Sequence, residues 1–339
     1  MRVTRKDVAE KAGVSVATVS YVLNNSRKLT EKTRKKVMDV VDELSYKPDM
    51  VAKSMVTNKT MQLSIIVNDI VNPFFGEIVL GFEKSAIEKG YFVNIFSGFQ
   101  SLDEYMENLL ARRIDGVFIT AIPEKFHMEK LYALVDAGIK VVVSGNVEAD
   151  MKKVSSFENN QLDAMEKATT YLNDLGHRDI AFVTGLSRTH KFDTKVEAYK
   201  SCMKKLGHNQ SESLLIDGNP PFNTSDQEGY ELTHKLIRTG KDFTAIICSN
   251  DFMAFGCIRA LTESGLRIPE DVSVIAFDDT HLSTMWNTSI TAVSYSKSQL
   301  GAKAFELLYN NIKNEMTSYY LNTTELFIRE STGPCPEGK

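Results

Sequence analysis

Apolar positions change their spacing after the first sixty residues. Between Thr4 and Leu44 they recur three or four apart in short runs: Val8, Ala9 and Ala12, then Val19, Val22 and Leu23, then Val37, Val40, Val41 and Leu44. That period predicts three short helices, each burying one face. The start and stop signals agree. Thr4 pairs with Asp7 three residues on, Ser15 and Thr30 stand where the next two helices begin, Gly13 closes the first, and Ser45 and Pro48 close the third. Two short helices separated by Gly-Val-Ser, with a third in support, are the layout of a helix-turn-helix. At about 100° per residue, Val19, Val22 and Leu23 of the second helix point one way and Ala17, Ser20, Tyr21 and Asn24 the other. A face with few charges and little bulk suits close approach to base edges in a major groove, and equally a plain solvated surface.

After Thr60 the pattern becomes short apolar runs alternating with amphipathic stretches. "LSIIVN", "FVNIF", "GVFIT", "KVVVSG", "IAFVTG", "SLLIDG", "AIICS" and "VSVIAFDD" predict buried strands. "FFGEIVLGFEKSAIEKG", "LDEYMENLLARR" and "QLDAMEKATTYLNDLG" predict helices. Alternation of this kind implies parallel sheets with right-handed crossovers, and the pattern restarts after Asn159, which divides it into two similar lobes. Ligands of such sheets bind outside the carboxyl ends of the strands. The tails of the apolar runs hold Asp69, the Phe74-Phe75 pair at the next helix start, Asn250 and Asp278. Carboxylates and amides suit sugar hydroxyls, and aromatic rings suit the apolar faces of pyranoses. Phe74 and Phe75 read equally as core residues, and Asp278 or Asp279 as a turn cap. Trp286, the single tryptophan, reads as a pocket wall, an interface anchor or an ordinary surface or core residue.

Charge changes the picture for the first part of the chain. The overall net charge of −4 divides into +6 for residues 1–60, with 13 Lys and Arg against 7 Asp and Glu, and −10 for the rest. A basic head on an acidic body points to a polyanion met by the head alone. The start "MRVTRKDVAEKAG" has no apolar run of a cleavable signal, and no segment approaches the roughly 20 apolar residues of a membrane span. Cys202, Cys248, Cys257 and Cys335 are scattered, without metal-ligand spacing, as reduced thiols in a cytoplasm would be. The expectation is a cytoplasmic protein with no metal and no cofactor. Phosphate-cradling loops, the Gly-x-Ser-x-Gly elbow and His-Glu-x-x-His are missing from the sequence, and the six histidines are isolated, which argues against an enzyme.

The stretch "TRKDVAEKAGVSVATVSYVLNN" followed by "LTEKTRKKVMDVVDELSYKPDMVAKSM" resembles the DNA-binding head of the lactose-repressor/galactose-repressor family. The resemblance continues through "NPFFGEIVLGFEKSA", "RRIDGVFI", "LGHRDIAFVTG", "SNDFMAFGCIRAL", "IPEDVSVIAFDD" and "IRESTG" into the family's effector core, a relative of periplasmic sugar-binding proteins. It implies an α/β chain with a three-helix helix-turn-helix head over residues 1–47 and a hinge helix and linker over 48–60. The type I periplasmic-binding-protein-like, doubly wound parallel-sheet core would follow in two lobes, 61–160 plus 293–321 and 161–292 plus 322–339. By the resemblance Val16, Ala17 and Tyr21 read bases, while Thr4, Ser15, Thr18, Asn24, Thr30 and Thr33 hold phosphates. Val51, Ala52, Lys53 and Met55 would form the minor-groove hinge, with Met55 where the family has a wedging leucine. Asp69, Phe74, Phe75, Lys195, Asn250, Asp278 and Trp286 would line the effector cleft, Lys195 standing where many members carry arginine. Tyr21 likewise stands where many relatives carry arginine, which implies a different half-site. The expected function is a repressor of carbohydrate-related genes, a homodimer on a pseudo-palindromic operator in double-stranded DNA, controlled by a sugar or sugar phosphate. "KVEAYK" and "DDTHLSTM" also resemble the catabolite-control branch, whose corepressor is a phosphocarrier protein.

Overall fold

The computed structural model describes residues 3–24, 29–47, 54, 57–98, 102–120, 122, 126–145, 149–189, 194–208, 211–220, 222–285 and 287–337. The chain forms two compact units, Met1–Met61 and Gln62–Lys339.

In the first unit α1 (Arg5–Lys11), α2 (Val16–Asn24) and α3 (Glu31–Glu43) close around Val8, Ala12, Val19, Val22, Val37, Val41 and Tyr46. Each helix begins where a hydroxyl can take up an orphan amide. Asp7 N donates to Thr4 Oγ1 at 3.4 Å while Thr4 N donates back to Asp7 Oδ2 at 2.7 Å. Thr18 N donates to Ser15 Oγ at 3.1 Å, and Thr33 N to Thr30 Oγ1 at 3.2 Å. In so small a core each such cap matters, at about 1 kcal/mol apiece. Gly13 takes a φ of +58°, the left-handed turn that sends the chain from α1 into α2.

The second unit runs β1 (Gln62–Val67), α4 (Pro73–Glu88), β2 (Phe92–Ser97), α5 (Leu102–Arg112), β3 (Gly116–Ile119), α6 (Met128–Asp136), β4 (Lys140–Ser144) and β5 (Ser155–Asn159). It continues with α7 (Gln161–Asp174), β6 (Ile180–Thr184), α8 (Lys195–Lys205), α9 (Ser211–Leu214), β7 (Leu215–Asp217), α10 (Asp226–Arg238), β8 (Ala245–Cys248), α11 (Asp251–Glu263) and β9 (Ser273–Phe277). After a 3-10 turn at His281–Thr284 come β10 (Thr291–Ser294), α12 (Lys297–Asn314), β11 (Tyr319–Asn322) and β12 (Glu325–Phe327). One sheet has the order β11-β5-β4-β3-β1-β2 and the other β12-β10-β9-β8-β6-β7. Their central strands are fully buried, as apolar runs covered by helices on both faces must be.

Three differences from the sequence reading concern the sheet margins. Val293 pairs with Phe277, so β10 belongs to the second sheet and the passage into the first lobe falls at Tyr295–Ser296, not before residue 293. Asn322 pairs with Asn159, so the return passage falls at residues 323–324, not before 322. β12 lies antiparallel to β10, an exception to the parallel rule that an edge strand reached without a crossover helix permits. The strands β5, β10, β11 and β12 carry Ser, Thr, Asn and Glu rather than an unbroken apolar run, which is why periodicity does not reveal them.

Candidate functional site

On the head, α2 turns Val19 and Val22 into the core and leaves Val16 45% and Tyr21 37% exposed, with Ala17 exposed between them. Helix periodicity alone sets this: burying the valines forces the opposite side outward. Asn24 Nδ2 donates to Ser20 Oγ at 3.3 Å on the same outward side. The hydroxyls expected at phosphates are in use as caps: Ser15 and Thr18 share a hydrogen bond of 2.9 Å, and Thr30 and Thr33 one of 2.8 Å. Thr4 differs from them. Its hydroxyl donates to Asp7 Oδ2 at 2.8 Å, and the hydrogen bonds from Thr4 hold the Asp7 carboxyl below its ordinary value, so an anion at Thr4 meets a carboxylate there. Val51, Ala52, Lys53 and Met55 lie outside the described residues, as does Trp286 in the core.

In the core, Asn72 caps α4 by accepting from Phe74 N at 3.0 Å, which fixes Phe74 and Phe75 at the helix start with ring centroids 5.1 Å apart. Phe74 also packs edge-on against Tyr295, centroids 6.0 Å apart. Tyr295 lies on the Tyr295–Ser296 passage, and its hydroxyl accepts from Asn159 Nδ2 at 2.5 Å. Asn159 Oδ1 accepts from Asn322 Nδ2 at 3.3 Å. A single amide at the end of β5 therefore ties the first passage between the lobes to the other two. Burial, and after it the negative charge of Asp278, pushes the Tyr295 phenol well above its ordinary value. Phe74, Phe75 and Tyr295 therefore form one aromatic group where the chain passes between lobes, and the backbone of Asp278 is tied to the two residues before Tyr295: its N–H donates to Val293 O at 3.2 Å and its carbonyl accepts from Ser294 Oγ at 2.5 Å.

The other expected cleft residues have different surroundings. Asn250 caps α11, accepting from Met253 N at 2.9 Å and donating to Thr224 O at 3.1 Å, which occupies both ends of its amide. The neighbouring Asp251, buried, accepts from Thr280 N at 2.5 Å and so fastens the α11 start to the tail of β9. Burial raises the Asp251 carboxyl above its ordinary value, and the hydrogen bond from Thr280 N offsets this in part. Lys195 holds its ammonium 5.7 Å from the centroid of Phe277, the residue before Asp278. Asp69 is exposed and accepts from Val71 N at 2.9 Å, an Asx turn in the loop that leads to α4. Sequence reasoning missed Tyr295 and Asn159. Their only local signal is a position just before a helix cap, Ser296 or Asn160, at the end of a strand too polar to recognise.

A helix-turn-helix head and a separate core of two parallel sheets joined by three chain passages define a ligand-responsive DNA-binding regulator. The chain belongs to the LacI family. The description "Bacterial regulatory proteins, lacI family" matches residues 4–49, and "Periplasmic binding proteins and sugar binding domain of LacI family" matches residues 60–330. It is a LacI-family transcriptional repressor with a DNA-binding head and a ligand-binding core. Among curated relatives, the HTH-type transcriptional repressor PurR of Pasteurella multocida is 32% identical over 333 residues, covering 97% of this chain and 98% of the relative. PurR of Haemophilus influenzae is 33% identical over 342 residues with the same coverage. Among solved structures, the lac repressor dimer bound to operator and the anti-inducer ONPF superposes with a TM-score of 0.83 at 26% identity, covering 98% of this chain and all of that one. The transcriptional regulator CelR in complex with cellobiose gives 0.73 at 25% identity, covering 97% of this chain and all of that one. Among the described residues no helix is long and apolar enough to cross a membrane, and no group of three or more His, Cys, Asp or Glu is placed to hold a metal ion.

Proposed function

We propose that this repressor binds a pseudo-palindromic operator as a homodimer and is controlled by a sugar-like effector held between the two lobes of its core. Val16, Ala17 and Tyr21 read base edges, and Ser15, Thr18, Asn24, Thr30 and Thr33 approach phosphates at the helix starts. In the core, Asp278 takes effector hydroxyls while Phe74 and Phe75 take its apolar face, with Lys195, Asn250 and Asp69 around them. A second copy is supported by apolar side chains on the first lobe's surface, where Leu80 is 64% and Phe92 67% exposed. The lac repressor structure that superposes on this chain is a dimer bound to operator.

The observation that carries the reading is the edge-on contact of Phe74 with Tyr295, because Tyr295 is hydrogen-bonded to the first passage and lies on the second, next to Ser294, which holds the Asp278 carbonyl. A ligand gripped there has different contacts in two lobe arrangements. Differential affinity of that kind is what shifts a two-state balance. Nothing in the structure favours a phosphocarrier protein over a small molecule.

The test is a thermal-shift and calorimetric screen of the full chain against mono- and disaccharides and their phosphates, cellobiose included. A sugar that raises the melting temperature and changes operator affinity supports the reading, and Asp278→Ala should abolish that response while operator binding without ligand persists. A response that survives Asp278→Ala removes the site assignment. Deleting residues 1–60 should abolish operator binding, and specific binding by the remaining core would contradict the role given to the head.

A further inference from the structure

Asp278 and Asp279 both have positive φ, +89° and +54°. Two successive non-glycine residues in left-handed conformation persist only where their surroundings hold them, and they turn their carbonyls toward a common donor. That donor is Lys297, the first residue of α12 and only 5% exposed. Its ammonium donates to Asp278 O at 2.6 Å, to Asp279 O at 2.6 Å and to Ser294 Oγ at 3.3 Å. An ammonium has three protons, and a buried one is tolerated only when all are used. Ser294 Oγ in turn donates to Asp278 O at 2.5 Å.

Two further groups pin the same turn. Arg329 pairs with the Asp279 carboxylate at 2.7 Å, and Asp251 accepts from Thr280 N. Arg329 follows β12 and Asp251 begins α11, so both belong to the second lobe's own chain. Lys297 does not. Its helix packs against α4, with Gly81 and Gly301 bringing the two backbones into contact, and lies over β3 and β4 of the first sheet.

We propose that Lys297 is a positioning residue for the effector cleft: it reaches from the first lobe's helix to lock the left-handed Asp278–Asp279 turn, so that the presentation of Asp278 depends on how the lobes stand. The part concerning the effector rests on the Asp278 assignment proposed above. The clamp itself needs no ligand to be tested. Rotation of α12 against the second lobe draws the ammonium off the two carbonyls, and the turn loses its tie to Lys297 of the first lobe's helix layer. Lobe motion and cleft geometry are then one event.

The experiment compares the full chain with Lys297→Met, which keeps the length of the side chain and removes its donors, by amide hydrogen exchange and by operator affinity without added ligand. Exchange at Asp278 and Thr280 should rise by about tenfold or more in the variant while amides of β6 and β8 in the same lobe stay at their original rates. Operator affinity should change by about fivefold or more, because the lobe balance is altered. Unchanged exchange at 278–280, an equal rise throughout the second lobe, or an operator affinity within twofold of the original overturns the proposal. Should Lys297→Met not fold, Lys297→Gln, which keeps two donors, is judged by the same outcomes. Failure of Asp278→Ala to affect a small-molecule response would sink the effector assignment and leave these readings untouched.

Discussion

The two lobes of the core solve one packing problem in the same way with different parts of the chain. Each lays two helices together so closely that glycines form the contact. In the first lobe a Cβ on Gly81 would fall 2.1 Å from Ser298 O, and one on Gly301 2.0 Å from Ile78 O. In the second a Cβ on Gly229 would fall 2.3 Å from Met253 O, and one on Gly256 1.8 Å from Asp226 O. The second lobe's pair, α10 and α11, is nearly consecutive, separated only by β8 and its loops. The first lobe's pair joins α4 to α12, from near opposite ends of the core. Close packing is thus a local event in one lobe, while in the other it waits for the last part of the chain, at a larger loop-closure cost.

The largest effects should come from filling these contacts. Gly256→Ala sets a methyl against backbone that has nowhere to go, with a loss on the order of 3 kcal/mol or more in denaturant unfolding, and Gly301→Ala should match it. Their kinetics should differ. If the local pair forms early, Gly256→Ala slows refolding, whereas Gly301→Ala chiefly speeds unfolding. Equal effects on the refolding rate would break the contrast.

Next comes the junction shared by both lobes. Asn159→Ala leaves the Tyr295 hydroxyl and the Asn322 amide without their partner, a loss of about 1–3 kcal/mol. A single unfolding transition that splits into two in this variant would show that the passages couple the lobes. A lone transition of unchanged width would show that they do not.

A pH titration separates the lobes by a different property. His177, in the second lobe, is buried between Thr244 Oγ1 at 2.9 Å and Gly333 O at 3.0 Å, and burial lowers its pKa below the ordinary 6.5. The unfolded chain therefore takes up the proton first. The contribution of the neutral ring is present above pH 6.5 and is lost as pH falls below it, by at most about 1.4 kcal/mol per unit. His177→Gln should flatten the fall in melting temperature between about pH 7 and pH 5.5. An unchanged slope would exclude His177 as its source.

The smallest effect is expected at Lys167, which donates to Asp163 Oδ2 at 2.5 Å and to Thr324 O at 2.6 Å and so joins α7 to the third passage. With side chains about a third exposed, Lys167→Met should cost on the order of 0.5 kcal/mol. A loss several times larger would make this contact as central to the junction as Asn159.

Much of this architecture was legible before any coordinates. The three head helices, their caps and the outward side of α2 follow from spacing, because capping and amphipathicity involve neighbours a few residues apart. All eight apolar runs became strands, most of them trimmed by a residue or more at an end, and the first residues of "SLLIDG" belong to α9. The polar edge strands did not announce themselves, since an edge needs fewer buried side chains. The expected cleft residues were only partly a group. Phe74 and Phe75 gather beside Tyr295 and the backbone of Asp278 is tied to Ser294 next to it, whereas Asn250 serves mainly to cap α11.

What the sequence by itself determined is the division into a basic head and an acidic alternating core, the family, and the register of every strongly periodic element. Each is set by composition or by residues within one or two turns of one another. Only the tertiary structure decided that Asn159, Tyr295 and Asn322 meet, and that Lys297 reaches the Asp278–Asp279 turn. These contacts depend on where the chain passes from one sheet to the other, which is fixed by the pairing of polar strands, β10 with β9 and β11 with the distant β5, and no local spacing carries a signal for them.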